Sequence, residues 1–588
     1  MLVYPVITAI LDHLDMHRSL ALASLLALAL AAPSARAQRP QPADLIVTAE
    51  RIYTVDDTRP VVQAIAMRGE RLVYAGPVRG AMALKGSGTR VIDFPGRTIV
   101  PGLSDAHGHL LGLGESLRMV DLVGTTSYEQ VIARTVARAT GAPGGAWIQG
   151  RGWDQNRWGD TRFPTHEALS RAIPDHPVVL ERVDGHALLA NARAMQLAGI
   201  TAATKDPEGG RILRLPDGSP SGVFVDNAQE LIRRAVPPMT AEEAKSALLA
   251  AAAEANRWGL TAVHDPGEPE PAIDVIESLA KSGRLTLRTY VMIADDSAAI
   301  AHYFARGPQS ALYDGHLWIR AIKLYADGAL GSRGAALLDP YSDDPGNYGL
   351  LVSKPEHIRH VAIEALRHGF QVNTHAIGDR GNRVVLDAYE AALDSVPTAD
   401  HRFRIEHAQV LDHADIPRFA QLGVIPSMQT THQTSDMYWA EQRLGPGRAY
   451  GAYAWRALLS TGVIIPNGTD FPVEQVNPMR SFHAAVSRQD EHDWPPGGWH
   501  PEEAMTRDEA LKSMTIWPAF AAFQEHDMGS LTPGKYADFV VLDQDIMRVP
   551  VEDILKTKVV ATYLGGKAVY ESSAAQQAQA ASGRREGR

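Results

Sequence analysis

The stretch Val100–Leu110, VPGLSDAHGHL, decides the fold. An apolar run ends there on His107-Gly108-His109. On an extended segment, histidines at i and i+2 point to the same side, so both imidazoles can reach one metal ion. It is the only H-x-H among 22 histidines. Two loop histidines would read the same way. Its place just past a strand gives it weight, because barrel active sites are built on that face.

Outward from this stretch, short apolar strands alternate with Ala/Leu-rich helical segments, the rhythm of a parallel sheet. Barrel strands are predicted at Thr98–Asp105, Leu260–Asp265, Leu285–Ile293, Ile319–Ala326, Phe370–His375, Phe403–His407, Val424–Ser427 and Val463–Gly468. Eight such strands fit an α/β (β/α)₈ TIM-like barrel. A long insertion, about residues 112–255, follows the first strand and holds strand-like runs at Ala146–Trp153 and Pro177–Gly185. At the two ends, Ala43–Asp57 with Gln63–Gly76, and Gly534–Asp545 with Val559–Ser572, alternate apolar and polar residues. They are expected to pair into one small β-sandwich domain. The expected division is 38–97 and 526–572 for the β-domain, 98–525 for the barrel, and 573–588 for a disordered tail.

The N-terminus reads as a secretory signal over residues 1–37. Arg18 precedes an apolar run from Leu20 to Ala32, and Ala35-Arg36-Ala37 forms a small-x-small cleavage pattern. The run is too short for a transmembrane helix, which needs about 20 residues. Residues 1–15 lack any Lys or Arg, so Met16 is an alternative start. Export to the periplasm or the medium is expected, with no stable membrane span. The net charge of −11 argues against a nucleic-acid partner. With no cysteine in the chain, disulfides, cysteine metal sites and a cysteine nucleophile are excluded. A small molecule is the expected partner, with a homodimer left open.

Further polar residues recur at strand ends. Lys323 and Asp327 lie in IKLYADGAL, His375 ends QVNTHAIGD, His407 ends RIEHAQ, and Asp470 follows VIIPNGTDF. Each would cost free energy in a barrel core unless paired or metal-bound. Singly, each reads as a hydrogen-bonded structural residue; together they read as a site.

GLSDAHGHL, KLYADGALGSRGA, NTHAIGDRGN, RIEHAQ and GTDFPVE together resemble the amidohydrolase superfamily, in the branch known as amidohydrolase family 3 that includes N-substituted formamide deformylase. The resemblance spans nearly the whole chain, and ERVDGHALLAN (Glu181–Asn191) matches a recurring segment of the family's insertion. It implies that His107, His109 and Asp470 bind one divalent metal and His375 and His407 a second. Lys323 would bridge the two as a carbamate. Zinc suits such nitrogen and oxygen donors, and Mn, Fe, Co or Ni is tolerated; one or two ions remain open.

The expected reaction is hydrolysis of a non-peptide, amide-like carbon–nitrogen bond, with Asp470 as general base. Ester cleavage, deamination or an inactive binding protein are the alternatives. His186 is a candidate for the substrate carbonyl. Trp153, with Trp158 and Arg157, is a candidate wall of the substrate pocket, and His264 is expected to be structural or to support a ligand.

Overall fold

The computed structural model describes residues 41–573 except 238. The expected signal segment and the tail beyond Ser573 lie outside the described residues. Seven parallel strands succeed one another in one sheet: β1 (Leu103–Asp105), β2 (Leu260–Glu268), β3 (Arg288–Ile293), β4 (Leu317–Tyr325), β5 (Gln371–Ala376), β6 (Arg404–His407) and β7 (Ile425–Ser427). Their neighbours in space are their neighbours in sequence. Helices such as Pro355–His368 and Asp379–Ser395 return the chain between them and bury their apolar faces outside the sheet.

The expected eighth strand is reduced to a short extended segment, but it closes the barrel. Asn467 forms a parallel bridge with Met428 beyond β7. The Gly468 N–H donates to the Met428 carbonyl (3.0 Å), and the Ala106 N–H beyond β1 donates to the Asn467 carbonyl (3.1 Å). Asp105 reinforces this seam. Its carboxylate accepts from the Thr469 N–H at 3.1 Å and the Thr469 hydroxyl at 2.7 Å, and from the His107 N–H at 3.0 Å.

The predicted strand Thr98–Asp105 is two elements. Arg90–Pro101 belongs to another sheet, and only Leu103–Asp105 joins the barrel. Gly102 makes the handover, because a side chain there would strike Thr261 Oγ1 at 2.2 Å. The other sheet has seven strands in the order Lys567–Glu571, Val559–Leu564, Phe539–Leu542, Arg90–Pro101, Leu45–Tyr53, Val61–Arg68, Arg71–Gly76. The expected pairing of the chain ends is therefore present, with Val540 opposite Val100. Asp538 of this sheet forms a buried ion pair with Arg288 at the base of β3 (2.6 Å), which docks it to the barrel.

Between β1 and β2 the insertion builds its own six-stranded sheet. The order is Gly210–Arg214, Pro220–Asp226, Ala187–Ala190, Val178–Arg182, Ile148–Trp153, Val120–Asp121. The two predicted runs are its fourth and fifth strands. Helix Ala241–Arg257, started by a Thr240–Glu243 capping box, brings the chain back to β2.

The seam gives a stability prediction. A Cβ on Gly468 would meet the His107 nitrogen at 2.6 Å and Asp105 Oδ1 at 2.9 Å. Gly468→Ala should cost about 1–3 kcal/mol, the usual penalty of overpacking. Thermal unfolding of the variant checks this; an unchanged midpoint would show that the seam can open without cost.

Candidate metal centre

The strand ends converge as the sequence predicts. His107 and His109 follow β1, Lys323 lies on β4, His375 and His407 end β5 and β6, and Asp470 follows the closing segment. All line a cleft of about 1860 Å³ at the C-terminal face of the barrel. Asp470 Oδ1 lies 3.1 Å from His109 Nε2 and 3.7 Å from His107 Nε2. The Lys323 Nζ lies 3.3 Å from His107 Nε2. The rings of His107 and His407 are centred 4.9 Å apart, and those of His375 and His407 4.5 Å.

The backbone is bent to achieve this. His407 has φ 74° and Asp470 φ 56°, the left-handed region that side-chain-bearing residues avoid. Such residues cost of order 1–3 kcal/mol each and persist only where their surroundings hold them.

The electrostatics favour metal-ready donors. Burial pushes the imidazoles of His107, His375 and His407 well below their ordinary range, helped by the positive charges around them. They are therefore neutral and carry a lone pair. Burial pushes the Asp470 carboxyl up, but the rings of His107, His109 and His432, by any proton they share with it and by the His109 hydrogen bond, more than reverse this and hold it below the usual carboxylate range. Donor atoms of His107, His407 and Asp470 lie within 4.8 Å of one another, and His375 Nε2 is buried without a hydrogen-bond partner. This set fits a divalent metal.

Several contributors carry only a weak sequence signal of their own. Glu406 Oε2 takes up Nδ1 of His107 in a very short contact, leaving Nε2 toward the cleft. Arg404 holds Glu406 (2.7 Å) and also donates to the Ala106 carbonyl and to Ser427. The Gln429 side-chain oxygen, 2.7 Å from His407 Nδ1, sets that ring likewise. His432, on helix Thr430–Asp436 after β7, stacks on His407 at 5.7 Å, its Nε2 3.8 Å from Asp470 Oδ2. Arg404 and Glu406 alternate along RIEH and so face the barrel interior; charged residues in a four-residue buried strand were the available clue.

The remaining candidates sort by position. His186 enters the cleft from the insertion, its ring 5.2 Å from that of His375 and its Nδ1 2.7 Å from Asp226. Asp327 accepts three backbone N–H groups, from Ala336, Ile377 and Gly378, and so ties the loops beyond β4 and β5 together. His264 sits beneath the site against Arg404 at 3.0 Å, a supporting place. Trp153 corrects the expected pocket wall. It is fully buried, gives its indole N–H to the Leu180 carbonyl (2.8 Å) and packs on Trp158 in the insertion's core. Strand alternation and the turn at Gly152 carry it inward. Arg157 does reach the cleft, over the ring of Tyr438 at 4.4 Å.

A barrel with imidazoles, a carboxylate and a buried lysine converging at the C-terminal strand ends is the setting of a metal-dependent enzyme, and the family and structural matches make that class a hydrolase. The chain belongs to the amidohydrolase family, whose sequence profile matches residues 90–570. Protein LONG AFTER FAR-RED 3 of Arabidopsis thaliana is 35% identical over 544 residues, covering 90% of this chain and 92% of that protein. N-substituted formamide deformylase of Arthrobacter pascens is 27% identical over 562 residues, covering 90% and 98%. A crystal structure of an uncharacterized metal-dependent hydrolase from Pyrococcus horikoshii superposes with a TM-score of 0.70 at 28% identity, covering 86% of this chain and 99% of that one.

Glu406 gives the prediction here. Second partners of metal-binding histidines are worth about 10–100-fold in metal affinity. Glu406→Gln should weaken metal binding by that factor while the fold persists, as read by chelator competition alongside circular dichroism. Unchanged affinity would reduce Glu406 to packing.

Proposed function

We propose that the protein hydrolyses an amide-like, non-peptide carbon–nitrogen bond in a small molecule, with Asp470 as its base. The observation that carries this reading is the meeting of His107, His407 and Asp470 donor atoms within 4.8 Å in an open cleft. The likeness to a protein named as an N-substituted formamide deformylase supports the amide class.

His107, His109 and Asp470 would hold one divalent metal, zinc foremost, and His375 and His407 a second. Lys323 suits the place between them. Burial lowers its ammonium to about 8, so the neutral amine that adds to carbon dioxide is within reach near neutral pH. Addition of the amine to carbon dioxide with loss of one proton would give a carbamate whose single negative charge is shared by two oxygens, where an ammonium has no lone pair. A divalent metal at such a site supplies Lewis-acid polarisation and makes water more acidic.

The chain's own residues then perform the proton chemistry. Asp470, kept ionised by the histidines around it, takes a proton from the attacking water and passes it to the departing nitrogen. His186 faces the substrate carbonyl. Burial disfavours its charge, but Asp226 outweighs burial and raises the imidazolium to about 9, so at neutral pH both ring nitrogens carry a proton to donate.

The remaining proposals follow the sequence: export with cleavage after Ala37, a β-sandwich accessory domain from the chain ends whose N-terminal part runs on to Pro101 rather than ending at residue 97, and a homodimer. Among the described residues no helix is long and apolar enough to cross a membrane.

The test is metal analysis of the purified protein followed by a panel of N-formyl and N-acyl amines, esters and aminated heterocycles. Turnover confined to esters or to deamination would overturn the amide reading. Asp470→Asn keeps an oxygen ligand but not the basicity, so metal should be largely retained while kcat falls about 10²–10⁴-fold. Lys323→Ala should lose metal and activity together, with partial recovery in added short carboxylic acids; full metal content in that variant would remove the carbamate from the scheme.

A further inference from the structure

Arg151 has no role in the chemistry above, yet its place is unusual. It lies on the insertion strand Ile148–Trp153, is 8% exposed, and lines the cleft. Its hydrogen bonds go to backbone carbonyls. One arm donates to Pro472 in a very short contact, and the other to Val183 at 2.7 Å. No carboxylate among the described residues forms an ion pair with it. Burial disfavours its charge, and Glu181, Asp470, Asp184 and Glu474, all beyond ion-pair distance, offset this only in part, so the two charge-assisted bonds to carbonyls are its direct partners.

Both carbonyls belong to segments that carry site residues. Pro472 ends the run Asp470-Phe471-Pro472, and each of these residues is pinned. The Asp470 N–H donates to the His107 carbonyl at 2.6 Å, and the His109 N–H donates to the Phe471 carbonyl at 2.8 Å. The third pin is Arg151, and it alone comes from outside the barrel. Val183 opens the other segment. Asp184 follows it and accepts the His186 N–H at 3.1 Å. Gly152, with φ 107°, fixes the strand that aims Arg151, since a Cβ there would strike Val123 at 2.5 Å.

We propose that Arg151 is a positioning residue that sets the separation between Asp470 and His186 by clamping the Pro472 and Val183 carbonyls. The inference rests on the reading of Asp470 as base and His186 as substrate contact. A planar guanidinium holds two acceptors in a fixed fork, which an ammonium on a flexible stem does not. The insertion thereby registers its own substrate-facing loop against the barrel's base, at a distance set by one side chain. Misplacing reacting groups by about 1 Å can cost on the order of 10²-fold in rate.

The experiment compares the wild-type holoenzyme with Arg151→Ala and with Arg151→Met, which keeps apolar bulk and is the variant to read if the alanine form does not fold. Hydrogen exchange of residues 470–474 and 183–187, metal per chain, and kcat and KM on the best substrate of the panel are measured. The expected result is retained metal, faster exchange in both segments, and a kcat lower by about 10–100-fold. Guanidinium ion should recover part of the kcat of Arg151→Ala, whereas ammonium should not. Native exchange in both segments would overturn the clamp whatever the substrate proves to be. Faster exchange with unchanged kcat would overturn the positioning role. If the panel yields no substrate, the amide reading fails separately and exchange alone decides the clamp.

Discussion

The site exists because the barrel closes on a carboxylate. Asp105 ends the first strand, and its oxygens take the backbone and hydroxyl of Thr469 together with the His107 N–H. Residues on either side of this seam, His107 and Asp470, are thereby brought within 3.7 Å despite lying at opposite ends of the barrel's sequence. Burial pushes the Asp105 carboxyl up to about 7 even against these hydrogen bonds. A buried seam holds its geometry because every polar group in it must keep its partner. Glycine at 468 is part of the same constraint, since the segment must pass at a distance no side chain allows.

Beneath the cleft, charge is balanced along one interior line. Arg404 is fully buried and answers to Glu406, which answers to His107. Removing any member would leave a neighbour charged or unpaired in a low-dielectric interior, where the penalty is several kcal/mol. The line therefore fixes which nitrogen of His107 faces the cleft. Positive φ at His407 and Asp470 belongs to the same economy: local strain is tolerated because packing and hydrogen bonds around these residues leave them no alternative.

Much of this was legible in the sequence. The parallel rhythm gave the barrel strands because apolar strands and amphipathic helices have different periods. His107, His109, Lys323, His375, His407 and Asp470 were legible because each interrupts an apolar run at the same end of a strand. What stayed hidden depends on direction or distance. Glu406 and Arg404 sit within a strand beside His407, and only the closed barrel shows that they point inward. His432 lies on a short helix with no apolar period to mark it, and Trp153 looks like any cleft aromatic until the insertion's sheet turns it away. The strand from Thr98 misled because the apolar residues on both sides of Pro101-Gly102 read as one run; that dipeptide, a turn signal in its own right, is where the chain changes sheet, and the crowding at Gly102 shows why glycine stands there.

Barrel and insertion contribute different kinds of residue, and this division bears on specificity. The barrel supplies imidazoles, a lysine and a carboxylate whose positions are fixed by strand ends and by the seam. The insertion supplies His186, with Asp226 behind it, and reaches the cleft rim at Arg157. Asp226 is itself strained, at φ 48°, and it fits only because Gly328 and Gly334 of the β4 loop lack side chains; a Cβ on Gly334 would lie 2.6 Å from its Oδ2. The insertion's polar residues are thus keyed into barrel loops rather than laid over them. A donor set that activates water is indifferent to the group it attacks, so selectivity must come from the side that touches the rest of the substrate. In this chain the outer lining of the cleft comes from the insertion together with barrel loops, among them Tyr438, Trp439 and Glu474, so what the cleft admits is shaped where these two parts meet, away from the strand-end histidines.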